Sequence, residues 1–338
     1  MSKALIALLE PYNTVSIIGM SKNAGKTTVL NKLIAEYGKC GMKLGLTSIG
    51  RDGENVDVVT STDKPEIYVT GGTFVATAAD LLKKSDITKE ILMTTGINTP
   101  MGEVVFIRAR SDGNVQIGGG SINSQIIRLC NEFRDFGAEK ILIDGAVSRK
   151  AVSSPGVTDA AILCTGASVN TDMEQVVNDT AFTVALLMLK PLCDDSVSRL
   201  IDGFSENVGK IVAIRPDLEF RTINPEEATY MERAAFIYIR GAVSDRLVDK
   251  LVMSNINLHN TRIIVENGSK LFIKPRTFEK LTRGGSGIIV RQRINLVALT
   301  INPISAYGFD FDKNAFMEIM RERVAIPVFN VIEEEMVS

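Results

Sequence analysis

Residues 14–37 place an apolar run, a loop and an amphipathic stripe directly one after another. Residues 14–18 are short, apolar and rich in β-branched side chains, which predicts a buried strand. The loop that follows ends in Gly-Lys-Thr-Thr. Apolar side chains at helical spacing then predict a helix that begins near Gly25: Val29, Leu30, Leu33, Ile34 and Tyr37. A strand, a glycine-containing loop and a helix in this order favour an α/β fold with a mostly parallel sheet flanked by helices.

The loop has the composition of a phosphate-binding loop. Backbone N–H groups at a helix N-terminus are unpaired, and the helix dipole favours negative charge there. In this pattern Lys26 would contact the β- and γ-phosphates of a nucleotide, and the Thr27 hydroxyl would bind Mg²⁺. We therefore expect ATP with Mg²⁺ to be held by Ser21, Lys22, Asn23, Ala24, Gly25, Lys26, Thr27 and Thr28. Lys22 could also bring charge to the γ-phosphate, within the chain or across a homodimer.

One position departs from the usual pattern, G-x-x-x-x-G-K-[ST]. Counting back five positions from Gly25 gives Met20, and Gly19 stands one residue earlier. Either the backbone tolerates a Cβ atom at Met20, or Gly19 supplies the sharp turn one residue early. Two alternatives stay open at this point: a helix start without a ligand, or a loop that no longer binds nucleotide.

Acidic residues after two predicted strands could complete the site. Asp144 ends the apolar strand 140–144, and a carboxylate there binds Mg²⁺ directly or through water when that strand lies beside the phosphate-loop strand. Asp52 and Glu54 follow the strand predicted at 43–49 and could bind Mg²⁺ or orient water. A turn-capping role for Asp144 and a solvated turn at Asp52 are the simpler alternatives. The predicted catalytic set is Lys26, Asp52 and Asp144, and the predicted metal ligands are Thr27, Asp52 and Asp144.

Three further segments carry weaker signals. Residues 66–98 predict a strand, a glycine turn and a helix through Leu81. The glycines at 118–120 precede a helical stripe, and with Ser121 as N-cap we expect a flexible helix entry more than a second anion pocket. The loop at 302–310 follows a predicted strand and could be a partner or ligand surface, or simply a turn.

Length and composition set the broad class. The 338 residues predict two domains, a phosphate-loop domain at 1–208 and a smaller α/β domain at 209–338 in which strands and helices alternate again. The 38 basic and 40 acidic residues give no electrostatic footprint for nucleic acid, and the apolar runs are too short to span a membrane. Four widely spaced cysteines predict reduced thiols in a cytoplasmic protein. With His259 as the one histidine, a His-based zinc site or a Ser-His-Asp triad is hard to build.

Short phrases of the sequence resemble known families. The core MSKNAGKTT resembles the phosphate loop of the molybdopterin-guanine dinucleotide biosynthesis adaptor protein, with Met20 in place of a glycine. With the acidic loop at Asp52 and the phrase ILIDGA, the first domain is similar to the dethiobiotin-synthetase and cobyrinate-amidase branch of phosphate-loop proteins. Over the whole length, the chain resembles the reactivase subunit of lysine 5,6-aminomutase. Six phrases carry this resemblance: SIIGMSKNAGKTTVLN, ILIDGA, RGAVSDRL, KLFIKP, LTINPISAYGFDFD and IPVFNV.

The last resemblance implies an ATP-binding, slowly ATP-hydrolysing protein. It would act with a second ATPase subunit to restore an adenosylcobalamin- and pyridoxal-phosphate-dependent aminomutase after damage to its cobalamin. A rival hypothesis is an ATP-dependent small-molecule kinase or carboxylate-activating synthetase whose second domain selects the substrate. The sequence shows no acid/base or nucleophile constellation for a phosphoryl acceptor, which disfavours this rival. A non-catalytic scaffold is the third hypothesis.

Overall fold

The structure is a computed structural model, and it describes residues 2–49, 66–145, 156–205, 208–224, 234–253, 261–282 and 287–332. The chain divides into two compact units. Unit 1 comprises Met1–Ala181 and Asn295–Ser338, and unit 2 comprises Phe182–Ile294. Each unit is built around its own sheet.

Helices and strands alternate along most of the chain. The helices are α1 (Ser2–Leu9), α2 (Lys26–Lys39), α3 (Ala79–Leu82), α4 (Asn123–Asp135), α5 (Met173–Leu187), α6 (Asp195–Asp202), α7 (Asp245–Met253), α8 (Pro275–Thr282) and α9 (Lys313–Arg323). The strands are β1 (Thr14–Gly19), β2 (Leu44–Ser48), β3 (Ile67–Val69), β4 (Phe74–Ala78), β5 (Lys89–Thr99), β6 (Gly102–Ala109), β7 (Gly113–Val115), β8 (Lys140–Asp144), β9 (Ala160–Gly166), β10 (Ile211–Ile214), β11 (Phe220–Thr222), β12 (Phe236–Ile239), β13 (Val243–Ser244), β14 (Arg262–Val265), β15 (Leu271–Phe272), β16 (Gly287–Val290), β17 (Leu296–Asn302) and β18 (Val328–Asn330).

Unit 1 contains a nine-stranded sheet in the order β18-β17-β9-β1-β8-β2-β4-β6-β5. The strands from β18 to β4 are parallel, while β6 is antiparallel to β4 and to β5. One core packs side chains of α1 and α2 against the sheet, and another packs those of α4. Because β1 lies between β8 and β9, the carboxyl ends of these three parallel strands meet at one edge, where open α/β sheets bind their ligands.

Unit 2 contains a five-stranded sheet in the order β11-β10-β12-β14-β16. Here β12, β14 and β16 are parallel, and β10 is antiparallel to both of its neighbours. One core holds side chains from the end of α5 and from α7 and α8, and a second core holds those of α6. Unit 2 is therefore a second, smaller α/β layer structure, as the alternating sequence pattern predicted.

The local elements of the opening stretch are confirmed. Strand β1 and helix α2 occur where the apolar run and the stripe predicted them, and the buried residues of α2 are the five predicted ones. In the segment 66–98 the prediction was wrong in part. The helix through Leu81 has only four residues, and the strands β4 and β5 lie on either side of it.

The division of the chain differs from the predicted boundary between residues 208 and 209. It falls at 181/182, within α5, and the chain returns to unit 1 at Asn295. The reason is that β17 pairs with β9 and β18 pairs with β17, so both strands extend the first sheet. In the described part of the chain, no helix has the length and apolar character needed to cross a membrane.

Candidate functional site

The loop between β1 and α2 accommodates Met20 in place of the usual glycine. The Met20 N–H group donates to the carbonyl oxygen of Cys164 at 2.8 Å, which continues the parallel pairing of β1 with β9. Neither Gly19 nor Met20 has a positive φ; the left-handed residues are Asn23, at φ 59°, and Gly25, at φ 92°. The chain therefore turns later than the usual pattern suggests, and a Cβ atom at position 20 fits an extended strand end.

Lys26 lies folded back over this loop. Its Nζ donates to the carbonyl oxygen of Ser21 at 3.2 Å. A Cβ atom placed on Gly19 would lie 3.0 Å from both Cδ and Nζ of Lys26, so the absence of a side chain at Gly19 makes room for the lysine stem. Gly19 thus has a packing function, one residue before the position where the pattern expects a glycine.

The N-terminus of α2 presents several donors without acceptors. Gly25 occupies the N-cap and gives no side-chain cap, and the first helical bond runs from the Val29 N–H to the Gly25 oxygen at 3.0 Å. The N–H groups of Lys26, Thr27 and Thr28 precede this bond, and no acceptor for them lies within the described residues. Asn23 adds a buried side-chain donor, Nδ2, which has no hydrogen-bond partner there. Such donors fit a phosphate group.

Asp144 occupies the predicted place at the end of β8. It is paired in register with Ile17 of β1 and with Ser48, the last residue of β2, so Asp144 lies two residues before the end of the phosphate-loop strand. The Asp144 side chain is half-buried. Its backbone oxygen accepts the Ile49 N–H at 3.0 Å, which links the end of β8 to that of β2.

The pKa of the Cys164 thiol is affected by two charged residues of the predicted site. Burial raises the pKa of its thiol to about 11; Lys26 acts to lower it and Asp144 to raise it. Both charges are thus close enough to act on the same buried group. Cys164 and Cys130 are buried, Cys40 and Cys193 are exposed, and all four are free cysteines.

Asn302, where β17 ends and the loop at 302–310 begins, lies against the phosphate loop. A Cβ atom on Gly25 would be 3.2 Å from the Cβ of Asn302. The loop is ordered by its own hydrogen bonds: the Ser305 N–H donates to Asp310 Oδ1 at 3.1 Å, and the Phe311 N–H donates to the Pro303 oxygen at 2.9 Å. The position of this segment could not be predicted from the sequence, because it depends on the pairing of β17 with β9.

The glycine run at 118–120 is not a flexible helix entry. The Gly118 N–H donates to Thr77 Oγ1 at 3.1 Å, and its oxygen accepts the Ala78 N–H at 2.8 Å. The prediction of a Ser121 N-cap was also wrong: the N-cap of α4 is Ile122, and Gln125 Oε1 accepts the Ser121 N–H at 2.8 Å. The run is held to β4, and nothing there points to a second anion pocket.

The structure brings together only part of the predicted site. Ser21 to Gly25 form the loop, Lys26 to Thr28 begin α2, and Asp144 ends the neighbouring strand. Asp52, Glu54 and His259 lie outside the described residues. Among the residues that are described, no group of three His, Cys, Asp or Glu side chains could hold a metal ion. A hydroxyl and a single carboxylate fit Mg²⁺, which usually keeps several waters and binds phosphate oxygens as well.

Comparison with known proteins adds little to this geometry. No protein-family model and no curated protein matches the sequence. Among solved structures, the chain is similar to one described as "Structure of pNOB8 ParA bound to nonspecific DNA", with 13% sequence identity over 84% of this chain and 86% of that chain. The TM-score is 0.27, so this likeness supports no inference about function.

Proposed function

We propose that unit 1 binds ATP with Mg²⁺ at the loop between β1 and α2. The observation that carries this proposal is the set of donors that the loop and the start of α2 supply: the N–H groups at the start of α2, the buried Nδ2 of Asn23 and the ammonium of Lys26. Lys26 now donates to a loop carbonyl, an interaction that a phosphate oxygen would replace with a stronger charge-assisted one.

Each predicted residue has a role in this proposal. Lys26 and the loop amides from Ser21 to Thr28 hold the phosphates, and Lys22 adds charge at the exposed side of the loop. Thr27 and Asp144 hold Mg²⁺, which would neutralise charge on the β- and γ-phosphates. Asp52 or Glu54 would position a water molecule. ATP is chosen over GTP because the sequence has no N-K-x-D element at a strand end.

A titration of Mg-ATP by isothermal calorimetry tests the loop assignment. Lys26→Ala should weaken binding roughly tenfold to a hundredfold, because it removes a charged donor to a phosphate. Lys39→Ala is the matched control: it removes the same charge from the exposed far end of the same helix, about 20 Å away. Equal affinity of Lys26→Ala and the wild type would show that nucleotide does not bind at this loop.

We further propose that nucleotide binding serves the reactivation of an adenosylcobalamin-dependent aminomutase, together with a second ATPase subunit. The support is the resemblance of six phrases, including the one that contains the loop, to the aminomutase reactivase subunit. In this proposal ATP is hydrolysed slowly, and the client enzyme with its second ATPase subunit raises the rate.

Phosphate release measured under three conditions tests this second proposal. The chain is assayed alone, with candidate carboxylate metabolites, and with the aminomutase plus the second ATPase subunit. We expect the aminomutase with the second ATPase subunit to raise the rate of phosphate release, and the metabolites to leave that rate unchanged. Stimulation by a metabolite would instead favour the small-molecule kinase or synthetase, and binding of ATP without stimulation by the proteins would contradict the reactivase function while leaving the nucleotide site intact.

A further inference from the structure

Unit 2 contains a cavity at the carboxyl ends of its parallel strands. Strand β12 is followed by Arg240, β14 by Glu266 and β16 by Arg291, and all three residues line the same cavity of about 530 Å³. This volume lies within the range of small-molecule sites, and the carboxyl edge of a parallel sheet is where α/β folds place them. The location and size together mark the cavity as a candidate ligand site in its own right.

Both carboxylates of the cavity already have cationic partners. Glu266 accepts from Arg291 Nη1, with distances of 3.0 and 3.3 Å to its two oxygens, and it also accepts from the Tyr238 hydroxyl. Asp202 pairs with Nη2 of the same arginine. Burial, and then the bond to Glu266, raises the pKa of the Tyr238 phenol, so this hydroxyl keeps its proton and remains a donor. A cationic ligand would have to displace Arg291 to reach a carboxylate.

Two cations of the cavity are not neutralised in this way. Arg240 donates over long distances, 3.3 to 3.4 Å, to the backbone oxygens of Ser205 and Val208, and it also contacts the neutral Tyr238 side chain. Lys270 is half-buried, and no ion pair of its ammonium occurs in the described part of the chain. The cavity therefore combines an arginine fork and a lysine ammonium that both lack a carboxylate partner among those residues, which is the chemistry that binds phosphate or carboxylate groups.

The remaining wall of the cavity is apolar. Ile201, Phe204 and Tyr238 line it, and the rings of the last two lie 6.2 Å apart between centroids. Tyr238 is almost fully buried, whereas Phe204 is only partly covered, so part of its ring can contact a ligand. Apolar side chains and two available cations in the same cavity suit a ligand with one anionic end and one apolar or aromatic end.

We propose that this cavity of unit 2 binds a small organic anion, with its phosphate or carboxylate group on Arg240 and Lys270 and an aromatic or apolar body against Phe204. The site belongs to unit 2 alone and is separate from the nucleotide proposal, since none of its residues lies in the phosphate loop. It gives the second unit a ligand-binding role.

The test is calorimetric titration of the full chain, without nucleotide, with four probes: phenyl phosphate, benzoate, inorganic phosphate and benzylammonium. Saturable binding of phenyl phosphate or benzoate is expected, and the better of these aryl anions should bind more tightly than inorganic phosphate. Benzylammonium, which keeps the ring and reverses the charge, should not bind. The Lys26→Ala variant should bind the aryl anions like the wild type, which separates this site from the phosphate loop.

Two substitutions locate the site. Lys270→Gln and Arg240→Gln should each weaken binding of the aryl anion roughly tenfold to a hundredfold, because each removes a charged donor. Lys250→Gln, on α7 and exposed, removes the same charge outside the cavity and should leave affinity unchanged. Arg240 also holds backbone oxygens, so Lys270→Gln is the decisive variant if Arg240→Gln misfolds. The proposal is overturned if neither aryl anion binds at millimolar concentration, if inorganic phosphate binds equally well, if benzylammonium binds better, or if Lys270→Gln binds like the wild type.

Discussion

At the scale of single residues, the loop between β1 and α2 departs from the usual phosphate-loop pattern at one position, and the backbone there is unstrained. The usual glycine five positions before Gly25 is replaced by Met20, whose N–H is held by the Cys164 oxygen at the end of a strand. The left-handed backbone is confined to Asn23 and Gly25, two residue types that adopt it most readily. The glycine that the loop needs for space is Gly19, because the Lys26 stem lies on it.

Because Gly19 provides space for Lys26 and Met20 is unstrained, substitutions at these two neighbouring positions should have different effects on nucleotide affinity. Gly19→Ala would put a methyl group 3.0 Å from Cδ and Nζ of Lys26 and displace the lysine, so affinity for Mg-ATP should fall about tenfold. Met20→Gly, which restores the usual glycine, should leave affinity nearly unchanged, because Met20 is not in a strained conformation. Calorimetric titration of both variants measures the effect. Tighter binding by Met20→Gly would mean that the methionine side chain obstructs the nucleotide.

At the scale of elements, helix α1 is attached to the sheet of unit 1 through Lys140. This lysine is 2% exposed, and its Nζ donates to the oxygens of Leu9 at 3.0 Å, Glu10 at 3.3 Å and Tyr12. These carbonyls lie at and just beyond the C-terminal end of α1, where the helix dipole favours a cation. Leu5 and Leu9 of α1 are fully buried in the core that packs α1 and α2 against the sheet of unit 1.

Replacing Lys140 with methionine keeps the volume of the side chain but removes a charged donor from three carbonyl oxygens, of which that of Leu9 still accepts the Tyr12 N–H. We expect Lys140→Met to lower the free energy of unfolding by about 1.5–3 kcal/mol, the usual effect of losing a charged hydrogen-bond donor. Urea unfolding followed by far-ultraviolet circular dichroism measures it, since the chain has no tryptophan. Lys39→Met, on an exposed helix end, should change stability by less than about 0.5 kcal/mol. An increase in stability for Lys140→Met would mean that desolvation of the ammonium outweighs its bonds.

Elements with a strong local period could be predicted from sequence, and elements defined by distant partners could not. The five buried residues of α2 follow from helical spacing alone. Strand β5 was missed because two register shifts against β6 break the alternation that marks a strand. The position of Asp144 beside β1 could be predicted because an apolar strand that ends in an acidic residue is typical of the strand next to a phosphate-loop strand, and β8 does pair with β1. The approach of Asn302 to Gly25 depends on β17 pairing with β9, whose paired residues are 135 or 136 positions away in sequence, so it leaves no local signal.

The cavity of unit 2 has a weak signal in the local sequence. Arg240, Glu266 and Arg291 each follow an apolar strand directly. A charged residue after every parallel strand of one sheet indicates a polar edge, by the same rule that identified Asp144. What sequence does not provide is the order β12-β14-β16, which brings the three strand ends together.

At the scale of the whole molecule, unit 2 is an insertion between two parts of unit 1. The chain leaves the first sheet after β9, forms the second sheet, and returns as β17 and β18. The predicted boundary at 208/209 differs from this division because the apolar strand β17 could belong to either sheet by sequence alone. It also assigns α6 and the end of α5 to the first domain, whereas Phe182, Leu186, Val197 and Ile201 contribute to the two cores of unit 2.

The two divisions of the chain predict different folding for two fragments. A fragment of residues 182–294 retains both cores of unit 2, so it should show α/β circular dichroism, unfold cooperatively in urea and bind the same aryl anion as the full chain. A fragment of residues 209–338 loses α6 and the end of α5 and contains β17 without β9, so it should lack a cooperative transition. Cooperative unfolding of the second fragment but not of the first would favour the predicted boundary at 208/209 over the division at 181/182.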